Sequence, residues 1–486
     1  MHCAIVGSGI TGLTAGLLLA QQGHAVTIIE ALPQPAPLLR GFWREGLYFD
    51  TGFHCGGGLH TDGILRRWLR ALGIEASLRP IALNHTDEFY FADGRHFSLP
   101  SGHEEVLRAV EQQFPGSGGA MATLLHEMDA NLTHSPYLNP ELRTEPGFTP
   151  QETDSTSTRF ESIGLPPHLR AILGTRCLLY GVQPYEASWA EYSLVAGPYF
   201  QSSGTWKGGG SALAEALLTK LHKVGVTIRC GVAVTGVDAN KEKGVRGVLL
   251  ADGCYLGCDR LFFTGHPTQL CTLVPQGLLR PAYRHRLENL QETPSALLLF
   301  GETRGDVLKS RQSIYLLPSP ATPDLFPYME SAEPSVYLFC DRPQKDGRKA
   351  VMAVTLMDQT HLPQGNPHPR PQSYCDWKRR AMARMQAYIE TRLPGIAGSW
   401  RILEAATPLT LRQWGHGGTG SLYGVRHTIE TMPLLPVTRV PGLFLAGQNI
   451  LLPGILGGIV SAALAVGFAF GHDNALKEFR QCAGNE

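Results

Sequence analysis

The 486-residue chain predicts an α/β protein, and three observations carry that expectation. The N-terminus reads as an apolar strand over His2 to Val6, a glycine-rich turn, a helix over Leu13 to Gln22 and a second strand over Ala25 to Glu30. The turn is Gly7-Ser8-Gly9-Ile10-Thr11-Gly12, three glycines at G-x-G-x-x-G spacing between strand and helix. The 55 glycines in 486 residues exceed the usual ~7% and fall in clusters rather than evenly. Those clusters lie around Gly7 to Gly16, Gly56 to Gly58, Gly208 to Gly210, Gly415 to Gly420 and Gly447 to Gly458, places where backbone must turn tightly or approach something closely.

The first cluster has a mechanical reading. Gly7 allows the tight turn, Gly9 lets a pyrophosphate touch backbone, and Gly12 lets helix and strand pack closely. The helix N-terminus then presents free N–H groups and a positive dipole end to the phosphates. Glu30 stands 18 residues past Gly12, at the end of the second strand, where a carboxylate accepts both hydroxyls of a ribose. An acid there disfavours a 2′-phosphate, so the expected occupant is NAD or FAD rather than NADP.

From Gly208 the chain predicts a glycine turn, a helix to about His222, and strands at Thr227–Arg229, Val232–Val237, Val245–Leu250 and Arg260–Phe263, with Asp252-Gly253 as a hairpin turn. From Gly442 it predicts a strand, a glycine turn carrying Gln448 and Asn449, and a helix starting near Gly454. A helix N-terminus aimed at a flavin ring would stabilise negative charge on its reduced pyrimidine edge. The uncharged runs Cys3 to Ile29 and Pro441 to Gly471 exceed the ~20 residues a bilayer needs, but their internal glycines, amides and prolines predict strand, turn and buried helix.

Composition narrows the rest. With 42 basic and 42 acidic side chains, broad electrostatic capture of nucleic acid is not expected. Apolar content of 43% excludes wholesale disorder. Ten cysteines without a C-x-x-C predict free thiols in a reducing compartment and no metal site. Met1 is followed almost at once by a strand, which leaves no room for a signal peptide, so the expected location is cytoplasmic, at most peripheral to the inner face of a membrane.

Several stretches together resemble a known family: Gly46-Leu-Tyr-Phe-Asp-Thr-Gly-Phe-His54, Trp206-Lys-Gly-Gly-Gly, Thr407-Pro-Leu-Thr410, Leu422-Tyr-Gly-Val-Arg-His427 and Gly442 to Gly458. With the N-terminal fingerprint they are similar to the FAD-dependent phytoene desaturase, carotenoid isomerase and retinol saturase group of the glutathione-reductase-like flavoproteins, most of all to its retinol-saturase branch. The resemblance implies a Rossmann-type FAD-binding domain over 1–80, 204–270 and 435–486, interleaved with an α+β substrate domain over 81–203 and 271–434. It implies non-covalent FAD, with Gly7, Ser8, Gly9, Thr11 and Gly12 on the pyrophosphate, Glu30 on the adenosine ribose and the Val234 backbone on adenine. Gly447, Gln448 and Asn449 would approach the ribityl-phosphate, Gly454, Ile455 and Leu456 the isoalloxazine, and the Phe49-Asp-Thr-Gly52 motif would run toward the flavin. One departure stands out. The family's Gly-Gly-Arg triplet is replaced by Pro37-Leu38-Leu39-Arg40-Gly41, leaving Arg40 to reach the phosphate without the usual glycines.

No Ser/His/Asp or paired-carboxylate unit is visible, as expected where a cofactor carries the redox chemistry. No second fingerprint appears, so electrons would come from or go to a diffusible partner: oxygen, a quinone or another reductant. His54 is the candidate for handling a proton or orienting substrate; the alternative is a histidine satisfied by backbone hydrogen bonds. Cys55 reads as a packed thiol, Asp50 as an organiser of its own loop, and Tyr423 as a substrate-bordering or structural tyrosine. Two basic stretches, Arg66-Arg67-Trp68-Leu-Arg70 and Trp377-Lys378-Arg379-Arg380 with Arg384, read as solvated helix faces or as docking sites for an acidic carrier or a membrane. Residues 134–158 read as a long loop or lid and 363–373 as a second break. The expected activity is reduction or desaturation of carbon–carbon bonds in a long apolar substrate (polyene, isoprenoid or unsaturated acyl chain) by hydride transfer at flavin N5, with reduction favoured. The rivals are a polyene isomerase using reduced flavin, and a flavin-free lipid-binding chaperone, against which the intact glycines and Glu30 count.

Overall fold

A computed structural model describes residues 1–83, 86–143, 154–310, 312–320, 324–344, 346–358, 360, 362, 370–415 and 420–482. Most of the expected break at 363–373, the middle of the 134–158 stretch and positions 416–419 of one glycine cluster lie outside them.

The first 29 residues fold as read, and their strands sit at the centre of a parallel sheet. Its five strands run in the order Thr227–Arg229, Ala25–Ile29, His2–Val6, Arg260–Phe263 and Leu443–Leu445. The first helix starts earlier than expected, at Ile10 rather than Leu13, with Gly9 as its N-cap. Gly16 lets it settle closely onto its neighbours. A Cβ on Gly16 would meet Ile28 and Leu221 side chains at 2.9 and 3.1 Å. The helix Gly454–Phe470 lies along it, burying Ile459, Ala462, Ala463 and Val466 against Leu13 and Leu17 in one core. The strand expected at Val232–Val237 forms instead at Val234–Asn240, and pairs with Gly244–Leu250 and then Tyr255–Gly257 in a small antiparallel sheet.

The second large sheet was not legible strand by strand. Its order is Trp400–Ala406, Ser295–Thr303, Lys349–Met357, Val336–Pro343, Gln312–Leu317, Asp87–Phe91 and His96–Leu99. All pairs are antiparallel except Gln312–Leu317 with Asp87–Phe91. Alternate residues divide cleanly between two faces. Leu297, Leu299, Val351, Ala353 and Leu338 pack under Met385 and Ile389 of the helix Gln372–Arg392. Ala296, Leu298, Phe300, Met352 and Phe339 pack against the hairpin Phe42–Arg44/Leu47–Phe49. With both faces covered, the central strands are apolar at nearly every position, and the period-2 pattern that marks a half-exposed strand disappears.

Two expectations about the surface can be placed. No helix among the described residues is long and apolar enough to cross a membrane. The basic stretches are engaged locally: Arg66 and Arg70 share Glu75 at 2.6 and 3.2 Å, Lys378 meets Glu404 at 3.1 Å, and Arg384 donates to the Glu330 and Ser331 carbonyls.

The cluster at Gly56 to Gly58, for which sequence gave no reason, is a crossing point. The short strand Gly56–Gly57 passes directly over the C-terminal turn of the helix Trp189–Gln201, and a Cβ on Gly57 would meet the Pro198 carbonyl carbon and Tyr199 nitrogen at 2.5 Å. Backbone cannot yield there as a side chain would. Gly57→Ala is therefore expected to destabilise the protein by about 2–4 kcal/mol, read as a lowered urea midpoint with unchanged m-value.

Candidate active site

The fingerprint forms a cradle floored by backbone. Gly7 adopts φ +102°, and a Cβ there would strike Thr264 Oγ1 at 2.4 Å; a Cβ on Gly12 would strike the Gly7 carbonyl oxygen at 1.9 Å. Gly9 differs, since a Cβ on it would meet no protein atom within 4 Å. What its bare backbone keeps clear is the space in front of the helix N-terminus, which no side chain caps.

Glu30 and Ser8 hold this turn to the second strand. Ser8 donates both its N–H and its hydroxyl to Glu30 Oε2, at 2.9 and 2.6 Å, while the Leu32 N–H donates to Oε1 at 2.8 Å. The Val232 N–H donates to the Glu30 carbonyl at 3.1 Å, which leads the chain to Val234 beside it. Thr11 faces the other segment of the cradle, as described next. The Ala36 N–H donates to the carbonyl and hydroxyl of Ser8, and Ala36 sits at φ +58°, a left-handed conformation that glycine adopts more easily. Here the missing glycines leave their mark. The Arg40 guanidinium donates from Nε to the Pro35 carbonyl at 2.8 Å, bracing its own loop.

A second helix N-terminus lies beside the first. A Cβ on Gly458 would meet Ile10 Cγ2 at 2.6 Å and Thr11 Oγ1 at 3.1 Å, so the two helices touch at their starts. Gly454 is exposed at φ +90° with nothing near its Cβ direction, again without a capping side chain, and Ile455 and Leu456 follow half-buried. Gly447 donates its N–H to Ser461 Oγ at 2.8 Å and lies close to Thr11. The two amides turn the other way. Asn449 Oδ1 accepts the Val425 N–H at 2.9 Å, and the Gln448 carbonyl lies 2.7 Å from His427 Nε2, which must carry the proton. Both bonds fasten the Leu422 to His427 segment over the turn. The cradle's donors are thus backbone N–H groups at two dipole ends, a chemistry suited to a diphosphate.

Asp50 pins the third segment. Its carboxylate accepts the Gly210 N–H at 2.9 Å and the Tyr48 hydroxyl at 3.1 Å, at the start of the helix Gly209–Lys223. A Cβ on Gly209 would collide with Asp50 Oδ2 at 2.1 Å, which explains the glycines of that block. Burial pushes the Asp50 carboxyl up to about 7, against the pull of the two donors. Gly52 packs on the Leu38 carbonyl, and Phe53 stacks on Trp206 at 4.4 Å.

Beyond Phe53, His54, Cys55, Tyr199, Tyr337 and Tyr423 each keep some accessible surface although protein encloses them, which implies an internal space beside them. Half-buried Val354, Leu403, Ala406 and Leu422 pack with Phe339 in one apolar cluster on the seven-stranded sheet. His54 lies 5.6 Å from Phe339, ring to ring, and neither of its nitrogens is hydrogen-bonded among the described residues. Burial alone brings its pKa down to about 4, so its ring is neutral at neutral pH. Burial also pushes the Cys55 thiol up to about 12, the inert packed thiol expected.

Sequence reasoning missed a buried ion pair close to Cys55. Arg176 pairs with Asp87 at 2.7 Å, both nearly buried, with Tyr199 and Tyr315 around them. These residues are isolated in sequence and belong to no motif, so no local signal announces them.

Comparison with known proteins agrees with this geometry. Residues 10–465 match the model of a family described as flavin containing amine oxidoreductase. The all-trans-retinol 13,14-reductase of Rattus norvegicus is 21% identical over 96% of this chain and 85% of its own length. A 4,4′-diapophytoene desaturase of Staphylococcus haemolyticus is 29% identical over 24% of this chain and 23% of its own. Among solved structures, a Pyrococcus furiosus protein superposes with TM-score 0.63 at 16% identity, covering 99% of this chain and 97% of its own. Putrescine oxidase bound to putrescine superposes with TM-score 0.60 at 14% identity, covering 98% and 99%.

The unfolded chain binds a proton at His54 below about pH 6.5, whereas the native chain does so only below about pH 4. Stability from this group therefore rises with pH across that window and is lost as pH falls. His54→Gln should lose less stability than the parent between about pH 6.5 and 4.5, by urea unfolding at each pH. In the parent the His54 Cε1–H resonance should stay fixed down to about pH 5.

Proposed function

On the premise that the chain belongs to the flavin containing amine oxidoreductase family, we propose that it is an FAD enzyme that reduces or desaturates carbon–carbon double bonds of a long apolar substrate. The observation that carries this reading is the half-buried apolar surface of Val354, Leu403, Ala406 and Leu422, in one cluster with Phe339, whose ring faces His54. An amine substrate arrives as a cation and needs a carboxylate or an aromatic face to hold it. The carboxylate close to Cys55, Asp87, is already paired with Arg176, which favours an apolar substrate over an amine. The retinol reductase and the phytoene-type desaturase among the relatives point the same way, and the former, matching along nearly the whole chain, favours reduction.

The chain's own residues divide the work. Backbone N–H groups from Gly7, Ser8, Gly9, Thr11 and Gly12 would hold the diphosphate, Glu30 the adenosine ribose, and the Val234 backbone the adenine. Gly447 to Asn449 would approach the ribityl-phosphate, and Gly454, Ile455 and Leu456 the ring system, with Gly52 nearby. Arg40 would act on the phosphate only after leaving Pro35. A bound flavin supplies hydride transfer at N5. His54, neutral and open to the cavity, offers one donor and one acceptor to order a water or the substrate; it does not serve as an imidazolium acid. Burial keeps water out and strengthens every polar contact inside.

The domain division at 1–80, 204–270 and 435–486 against 81–203 and 271–434 is supported by strand origins. Every strand of the parallel sheet comes from the first set, and every strand of the seven-stranded sheet from the second. A reducing setting is supported by the ten free cysteines, and the electron partner would be diffusible.

Purified protein should show flavin bands at about 450 nm. Heat denaturation should release FAD to the filtrate, as non-covalent binding requires, and Gly12→Ala should strip it. After anaerobic photoreduction, adding retinol should reoxidise the flavin with loss of one double bond. Isomerised retinol with no reoxidation would instead identify an isomerase, and protein colourless even after FAD is added would leave only lipid binding.

A further inference from the structure

We propose that a surface pocket of about 190 Å³ beside the Leu422 to His427 segment is the mouth through which a long apolar substrate enters and leaves the enclosed space, with Tyr185 and Tyr328 at its rim. The proposal rests on the apolar-substrate reading above and deepens it by assigning the route.

The need for a mouth follows from enclosure. His54 and Tyr423 keep accessible surface although protein encloses them, so a substrate that reaches them must cross a wall. The pocket lies against the outer side of that wall at three points. Leu356 lines it, and Val354, half-buried in the apolar cluster, stands two residues back on the same strand face, roughly 7 Å along the strand. Val354 is in turn paired in register with Tyr337. Pro294 also lines the pocket, and its carbonyl accepts the Leu422 N–H at 2.9 Å. Gly181 is the third, and a Cβ on it would meet Tyr423 Cδ2 at 3.0 Å. At each point one residue step separates the pocket from a side chain of the inner cluster or of the enclosed space.

Size and lining favour passage over storage. At about 190 Å³ the pocket is smaller than the roughly 300–1,000 Å³ of a seat for a whole small molecule. Tyr185 and Tyr328 are 45% and 38% exposed, among the large apolar side chains that the fold leaves in solvent. A ring with a polar tip suits the boundary between water and an apolar interior, and Tyr185 anchors its own tip on Asp324 at 3.1 Å. Arg426, on the segment that carries Tyr423, lines the pocket and pairs with Glu186. The two side chains are 32% and 20% exposed, so solvent screens their attraction, and Arg426 Nε has no hydrogen-bond partner among the described residues. Swinging of the Arg426 side chain therefore widens the pocket with no backbone hydrogen bond broken.

The test uses FAD-loaded protein, retinol as the probe and a plug at the rim. Tyr328→Cys and, separately, Tyr185→Cys are coupled to a bulky, non-fluorescent maleimide. The parent and Leu249→Cys, a position 48% exposed on the small antiparallel sheet, receive the same reagent as controls. Association is read by stopped-flow quenching of protein fluorescence, and dissociation by transfer of retinol to excess phosphatidylcholine vesicles. Each plug should slow both rates by about tenfold or more while Kd stays within about twofold, because a mouth lies on the path in both directions and outside the seat. The flavin spectrum of each labelled protein reports that it is folded. Association in both rim variants as fast as in labelled Leu249→Cys, or weakened affinity with dissociation unchanged, would overturn the mouth while leaving the apolar-substrate reading intact. Failure of retinol to bind the unlabelled parent would overturn that reading, and the proposal with it.

Discussion

The constraint on which the structure depends is the contact between two bare helix starts. The helix at Ile10 and the helix at Gly454 touch where Gly458 meets Ile10 and Thr11, and neither carries a side-chain cap. Two positive dipole ends side by side are unfavourable unless an anion sits before them. The arrangement requires glycine at each close contact, because a single Cβ would push the helices apart or fill the space ahead of them. Everything else is fitted around this. The parallel sheet aims the first helix, Asp50 moors the Gly209 helix to the same loop, and Asn449 and the Gln448 carbonyl fasten the Leu422 to His427 segment above.

What could be read from sequence was what is local. The first 29 residues carry strand, turn, helix and strand in unbroken succession, so each confirms its neighbour. Glu30 was placed by spacing, although its bond to Ser8 was not. The Gly208 to Gly210 block was recognised as a return to the first sheet, but its reason, the carboxylate of Asp50, lies 160 residues away. The seven-stranded sheet escaped because burial on both faces erases its period. Tyr315, Tyr337 and Arg176 escaped because they meet only in space. His54 was singled out from its motif, while its electrical state became evident only from its enclosure.

That enclosure acts on every titratable group of the cavity in one direction, toward neutrality. The imidazole of His54 stays unprotonated, the Tyr423 phenol moves up to about 12, and the Cys55 thiol does likewise. The paired Arg176 and Asp87 are the exception, and they cancel each other. A space so lined suits transfer of hydride to a carbon skeleton better than chemistry that needs a standing acid or base, since it offers dipoles rather than charges.

The order of strands in the parallel sheet bears on how the protein is made. His2–Val6 has Arg260–Phe263, made far later in the chain, as one neighbour, and the sheet closes only with Leu443–Leu445. The helix that completes the cradle follows later still. The apolar first helix gains partial cover from the Gly209–Lys223 helix and the rest only from the Gly454–Phe470 helix, so the chain carries exposed apolar surface until both have been made. Capture of a cofactor by the cradle then waits on segments that lie far apart in the chain.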